Sequence, residues 1–145
     1  MRHRVFGKKL SRTKSQRKAL FKSLIVSLIL RERIKTTEAK AKAVRGLVEK
    51  IITKAKNNGL HAQRQIASVV HDKKALNKLI TEIAPRFKNR SGGFTRILKL
   101  GKRRGDQAMI VELSLVEGGE AKSSPSSLPK KKQKKQKSKK ELRKR

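Results

Sequence analysis

"RFKNRSGGFTRILKLG", Arg86 to Gly101, sets three arginines around a Gly-Gly pair immediately ahead of a run that alternates apolar and polar residues. An alternation of period two is the mark of a strand with one buried face. Gly92 and Gly93 let the backbone take positive φ and remove side chains that would block close approach. Arg86, Arg90 and Arg96 carry fork-shaped donors suited to phosphate oxygens. The stretch reads either as a cradle for a polyanion or as a solvated turn leading into a strand. Beyond it, "GKRRGD" is a turn that Gly101 and Gly105 permit, and from Ala108 to Val116 the residues Met109, Val111, Leu113 and Leu115 alternate with Glu112 and Ser114. Thr95 to Leu100 and this second run make a β-hairpin.

Toward the N-terminus the period changes to that of a helix. Leu20, Phe21, Leu24, Ile25, Leu28 and Ile29 recur at helical spacing from about Lys14 to Arg31, opposite a basic face of Lys14, Arg17, Lys18 and Lys22. "ERIKTT" follows as a short extended piece, with Thr36 or Thr37 as N-cap of the next helix. That helix lays Val44, Leu47, Val48, Ile51, Ile52 and Ala55 on one face, and Asn57, Asn58 and Gly59 stop it. A shorter helix runs from about 61 to 70 through Ala62, Ile66, Ala67 and Val70. Asp72 caps a fourth, with Leu76, Leu79, Ile80 and Ile83, and Pro85 ends it. Helices followed by a closing hairpin indicate an α+β fold, a small sheet packed on helices.

The 145 residues suit one domain, since domains most often hold about 100 to 150 residues. Lys and Arg number 42 against 10 Asp and Glu, a formal net charge of +32. Such a chain repels itself unless a polyanion neutralises it, and a nucleic-acid backbone, which releases counterions on binding Lys and Arg, is the expected partner. The charge is spread over the whole length. Residues 118 to 145 hold 12 basic and 2 acidic residues, so residues 1 to 117 keep 30 and 8 and a net +22. Residues 1 to 13, with Arg2, His3, Arg4, Lys8, Lys9 and Arg12, have no acid and few apolar side chains, and read as a flexible arm that becomes ordered on a partner. Residues 118 to 145, rich in Lys, Ser, Pro and Gln, read as a disordered tail appended to a domain of residues 1 to 117.

No cysteine is present, which excludes disulfides, thiol catalysis and Cys-type zinc sites. The longest apolar run, Leu24 to Leu30, is broken by Ser27 and is far shorter than the roughly 20 residues of a membrane helix. With no secretory signal pattern, the expectation is a cytoplasmic protein. The acids, Glu32, Glu38, Glu49, Asp72, Glu82, Asp106, Glu112 and Glu117 within the domain, are scattered over helix faces, caps and turns. His3, His61 and His71 lack metal-ligand spacing, and the phosphate-loop pattern G-x-x-x-x-G-K-[ST] is missing. The expectation is therefore a protein without enzymatic activity, cofactor, metal or small-molecule substrate. Phe6, Phe21, Phe87 and Phe94 are the only aromatics. Phe21 belongs to a helix stripe, whereas Phe6, Phe87 and Phe94 sit in basic loops where they either stack on a base or pack on the domain. So few aromatic platforms favour phosphate and shape contacts over base reading, which suits structured RNA.

"MRHR" at Met1 to Arg4, "IKTT" at Ile34 to Thr37, "KAK" at Lys40 to Lys42 and above all "PRFKNRSGGFTRILKLGKRRGD" at Pro85 to Asp106 resemble the bacterial large-subunit ribosomal protein seventeen family, over residues 1 to about 116. The resemblance implies a helix, a short strand, three more helices and a closing pair of strands. It implies a structural protein of the large ribosomal subunit that binds its RNA near the peptide-exit side, beside neighbouring large-subunit ribosomal proteins, with no chemistry and no membrane. It further implies that Arg2, His3 and Arg4 are an RNA-penetrating arm, that Lys35, Thr36 and Thr37 mark the first strand and the start of the next helix, and that Arg86, Arg90, Gly92, Gly93, Thr95, Arg96, Lys99, Arg103 and Gly105 form a signature loop and hairpin. Charge alone adds Lys8, Lys9, Arg12, Lys14, Arg17, Lys18, Lys102 and Arg104 to the expected RNA contacts. Many relatives stop near the equivalent of Val116 or Glu117, and the Lys-rich tail lies outside the resemblance. A nucleoid-type DNA-binding protein is the alternative that size and charge fit equally, and a peripheral membrane protein held by its polybasic tail is the second.

Overall fold

Thr13 starts the first helix by closing a capping box: its hydroxyl accepts from the Gln16 backbone N–H at 3.4 Å, and the Gln16 side-chain oxygen accepts from the Thr13 N–H at 3.2 Å. In the computed structural model, which describes residues 8 to 116, helix α1 then runs Lys14–Arg31. Residues 8 to 13, the described part of the expected arm, include a turn with Leu10 and Ser11 in the left-handed region. The Arg17 guanidinium donates to the carbonyls of Lys9 and Arg12 and holds that turn on the helix. The arm residues 1 to 7 and the tail lie outside the described residues.

Strand β1 is Arg33–Thr37, helix α2 Glu38–Lys56 and helix α3 Leu60–Ala67. Thr37 is the N-cap of α2, as its sequence position suggests, yet its side chain makes no cap hydrogen bond. The left-handed residue after α2 is Asn58 (φ 43), whereas Gly59, at φ −76, is the N-cap of α3. Asparagine tolerates that conformation because its short polar side chain bonds locally; here its side-chain oxygen accepts from Gln63. Helix α3 is shorter than its apolar spacing suggests, and Val70 is buried from the turn beyond it.

Asp72 caps α4 (Lys73–Lys78) by accepting from the Lys74 N–H at 2.8 Å. The helix then widens into a π-helical stretch, Leu79–Ile83, and closes with the turn Ala84–Arg86. Pro85 therefore does not end the helix but sits in its last turn. A proline offers no N–H and crowds the carbonyl four residues back; the widened turn, in which the Ala84 N–H reaches the Leu79 carbonyl, precedes it directly.

Strands β2 (Thr95–Lys102) and β3 (Met109–Leu115) form the expected hairpin, and β1 pairs with β3, giving an antiparallel sheet of order β1-β3-β2. Gly105 (φ 104) lies in the turn as expected, while Gly101 belongs to β2 beside a register shift after Lys99. Ile34, Ile97, Val111 and Leu113 alternate onto the inner face, and the core they share with the helices includes Ile25, Leu28, Val44, Val48, Ile52, Leu79 and Ile83. Each such side chain, when fully buried, adds about 1.5–3 kcal/mol. Leu47, expected on the buried face of α2, is 38% exposed, and Ala41 takes a core position on that helix instead. Leu20, Phe21 and Leu24 on α1 and Leu76 and Ile80 on the fourth helix are half-buried rather than central.

Glu32 ties the layers together. It sits just past α1 at φ 61, its N–H reaches the Leu28 carbonyl, and its own carbonyl accepts from the Leu115 N–H at 2.9 Å. Its carboxylate accepts from Arg86 at 2.9 and 3.3 Å and from Lys78 at 3.0 Å. Hydrogen bonding from Arg86 first, opposed by desolvation and then aided by Lys78, lowers its pKa from 4.5. A carboxyl that is more acidic when folded adds stability above its unfolded pKa and loses it as pH falls through the folded value. The difference in urea midpoint between the natural protein and Glu32→Gln should thus be largest near neutrality and shrink as the pH drops below 4.5. An offset unchanged from neutral to acid pH would sink the ion-pair explanation.

Candidate nucleic-acid interface

Phe87 and Phe94 fix the two ends of the loop that carries Arg90, Gly92 and Gly93. Both rings are 1% exposed and meet at 5.1 Å between centroids with planes tilted by 56°. Of the two readings open for these rings, packing holds: no face is left for a base. From α2, Lys56 places its ammonium 5.6 Å over the Phe94 ring and donates to the Arg90 carbonyl at 2.6 Å. The Arg90 Nε closes the loop on itself by donating to the Gly92 carbonyl at 3.0 Å. Only Gly93, at φ 65, uses the left-handed region, so positive φ is not needed at Gly92. Because a Cβ on Gly93 would meet only ordinary contact and one on Gly92 open space, Gly93→Ala should cost about 1 kcal/mol through backbone strain alone and Gly92→Ala almost nothing. Urea unfolding of the two variants checks this, and equal costs would refute it.

Register and exposure gather a set of cations on the outer face of the sheet. Arg33, Ser114 and Arg96 form one row across the three strands, and Lys35, Glu112 and Leu98 the next. Arg33, Lys35 and Arg96 are exposed. Beside them α1 contributes Arg31 to a cleft that Arg33, Lys35 and Glu112 also line. Arg33 and Arg31 escaped the sequence reading, although the alternation of Arg33 with Lys35 in a strand was the signal that could have found Arg33. Lys99 and Lys102, paired with Val111 and Met109, stand by register on the opposite face of the sheet, exposed where β2 runs past the core, and Arg104 is exposed in the hairpin turn.

A second basic surface flanks the first half of α1. Lys14, Arg17, Lys18 and Lys22 rim a groove of about 920 Å³, with Lys50 and Lys54 of α2 on the other side. Lys8, Lys9 and Arg12 are exposed on the turn preceding α1. Lys50 and Lys54, one helical turn apart, were not singled out from sequence.

Several expected contacts are placed otherwise. The Arg86 fork is taken up by Glu32, with Glu82 at 3.7 Å, which suits bracing the last helix turn. Arg103 grips Asp106 through Nε at 3.0 Å and Nη2 at 2.5 Å; these bonds, with the Ala108 N–H, pull the Asp106 carboxyl down to about 2 and shape the hairpin turn. Thr95 is only 5% exposed and hydrogen-bonds the Glu49 carboxylate at 3.2 Å, so it faces the core rather than a ligand. Thr36 likewise lies on the inner face of β1. Arg2, His3 and Arg4 lie outside the described residues. His61 bonds Gln65, and His71 bonds Lys22. Among the described residues no group of His, Asp or Glu is arranged to hold a metal, and no helix is long and apolar enough to cross a membrane.

Residues 20–116 match the family described as Ribosomal protein L17. A protein of Geobacter metallireducens named large ribosomal subunit protein bL17 is 52% identical over 117 residues, covering 81% of this chain and 66% of that protein. Proteins of the same name from Trichlorobacter lovleyi and an Exiguobacterium species are 50% and 53% identical, over 81% and 74% of this chain and 94% and 97% of their own lengths.

Proposed function

The chain belongs to the ribosomal protein L17 family, and on that premise we propose that it is a structural, non-enzymatic constituent of the large ribosomal subunit that holds folded ribosomal RNA by its phosphates. The observation that carries this reading is the sheet face on which Arg33, Lys35 and Arg96 stand together within the family-matched residues. Lys99 and Lys102 on the other face of β2, Arg104 in the hairpin turn and Arg90 in the loop add further exposed cations, and Lys8, Lys9, Arg12, Lys14, Arg17 and Lys18 offer a second array at the start of α1. Arg2, His3 and Arg4 precede that second array in the chain. Arg86 and Arg103 act through carboxylates of the chain itself, keeping the last helix turn and the hairpin turn in place. With net charge +32 and no aromatic face free in the signature loop, binding is by charge and shape rather than by reading bases. Its place is the ribosome, beside other large-subunit proteins.

Sedimentation of a lysate through sucrose at moderate and high salt tests this. Stoichiometric co-migration with the large subunit that survives high salt is expected. Migration with DNA, with membranes or as free protein would overturn it.

A further inference from the structure

The groove between α1 and α2 has a floor unlike the other basic surfaces. Leu47, Ile51, Ile66 and Val69 line it, and Leu47 is 38% exposed although it stands in the middle of a helix. Gly46 lies next to it, also on the groove, and a Cβ there would meet nothing within 4 Å. Glycine weakens a helix interior relative to alanine, and no packing within the chain requires its small size at this position. A glycine that the fold itself does not need, beside an exposed leucine, leaves room for another chain to approach the helix backbone closely.

From these observations we infer that the groove docks an amphipathic helical segment of a partner protein, with its apolar side chains on the Gly46–Leu47 floor and carboxylates meeting the lysines and arginines of the rim. Charge selects the occupant. The rim carries six cations against Glu49, whose carboxylate is already engaged by Arg45 and Thr95. The chain's own ends are basic, as is a second copy, so neither complements it. Lys14 to Lys22 and Gly46 to Lys54 each run about 12 Å along their helices, the span of two turns, which suits anchors at i, i+3, i+4 and i+7. The floor is mostly aliphatic, and of the two rings that line the groove Phe94 is sealed by Phe87 and Lys56 while Phe21 is half-buried and packed against the core, whereas a nucleotide base would need an open aromatic face. This docking is separate from the sheet face and stands whether or not that face binds RNA; where the helix is seated, Lys14, Arg17 and Lys18 of the second cation array meet its carboxylates in place of phosphates.

The probe is a synthetic helix with leucines at i, i+3, i+4 and i+7 flanked by glutamates, titrated into the full-length chain and followed by fluorescence anisotropy. Gly46→Leu, which fills the floor from an open position, should weaken binding about tenfold or more with no loss of melting temperature, and replacing the probe's leucines with serine at constant charge should do the same. Equal binding of the serine probe would reduce the effect to polyanion attraction and overturn the inference, as would failure of the leucine probe to bind. A single-stranded RNA whose affinity, in place of the peptide's, falls with Gly46→Leu would assign the groove to RNA instead.

Discussion

Phe94→Ala is expected to lower the stability of the fold by about 3–5 kcal/mol, the usual loss when a buried aromatic ring is truncated. The ring is 1% exposed, packs at 5.1 Å on Phe87, and lies under the Lys56 ammonium; the Phe94 carbonyl accepts the Val116 N–H at 2.9 Å. Removing it opens a void between the end of the last helix and the start of β2, and neither neighbour can close on it without moving a backbone segment. A domain of this size holds about 5–15 kcal/mol in all, so roughly a fifth or more of its stability rests on one side chain. The same truncation frees Lys56 from one of its two anchors and loosens the loop that presents Arg90. Urea unfolding of Phe94→Ala beside Phe94→Leu measures this, the leucine variant keeping part of the loss back. A shift below about 1 kcal/mol would mean that the ring is not a core element, and would return it to the set of surfaces open to a base.

What the chain's local patterns could disclose was decided by the range of the interactions concerned. Helical spacing located α1 and α2 within a residue or two, because the core stripes of Ile25, Leu28 and Ile29 and of Val44, Val48, Ile51 and Ile52 repeat within each element. It could not reveal that Leu47 stands outside the core, since Leu47 occupies the edge of the same stripe and only the position of α1 and α3 decides what covers it. The capping box at Thr13 and Gln16 was legible as a T-x-x-Q spacing and went unused. The hairpin was plain from alternation, but the pairing of β1 with β3 joins residues far apart in sequence, from Arg33↔Ser114 to Thr37↔Ile110, and no short window carries it.

The candidate site divides the same way. Residue type marks Arg86 and Arg96 alike as phosphate donors. The structure separates them: Glu32, 54 positions from Arg86, occupies one fork, while the other stands on the open face of a sheet. Thr95 looked like a loop hydroxyl available to RNA until its partner, Glu49 on α2, was in view. Charge-rich sequence thus cannot tell a cation already paired with one of the few acids from an open one, nor show that strand alternation sets Arg33 on the same exposed face as Lys35.

That separation predicts a difference in salt dependence between two sets of arginines and lysines. Exchanging Arg33, Lys35 and Arg96 for glutamine removes three exposed cations from one face. Each phosphate that is no longer neutralised should lower the slope of log K against log salt by about 0.7–0.9, so the triple variant should be shallower by about 2–3 in binding a large-subunit RNA transcript. The fold should hardly notice, because exposed substitutions of this kind usually change stability by no more than about 0.5 kcal/mol each. Arg86→Gln and Arg103→Gln should behave in the opposite sense, leaving the slope where it was while loosening the Glu32 junction and the hairpin turn. The comparison separates charge as such from charge placed where a phosphate can reach it. A slope that falls equally for both sets would mean that RNA displaces the internal carboxylates and that Arg86 and Arg103 meet phosphates after all; a slope indifferent to Arg33, Lys35 and Arg96 would move the interface to the lysine-rimmed start of α1.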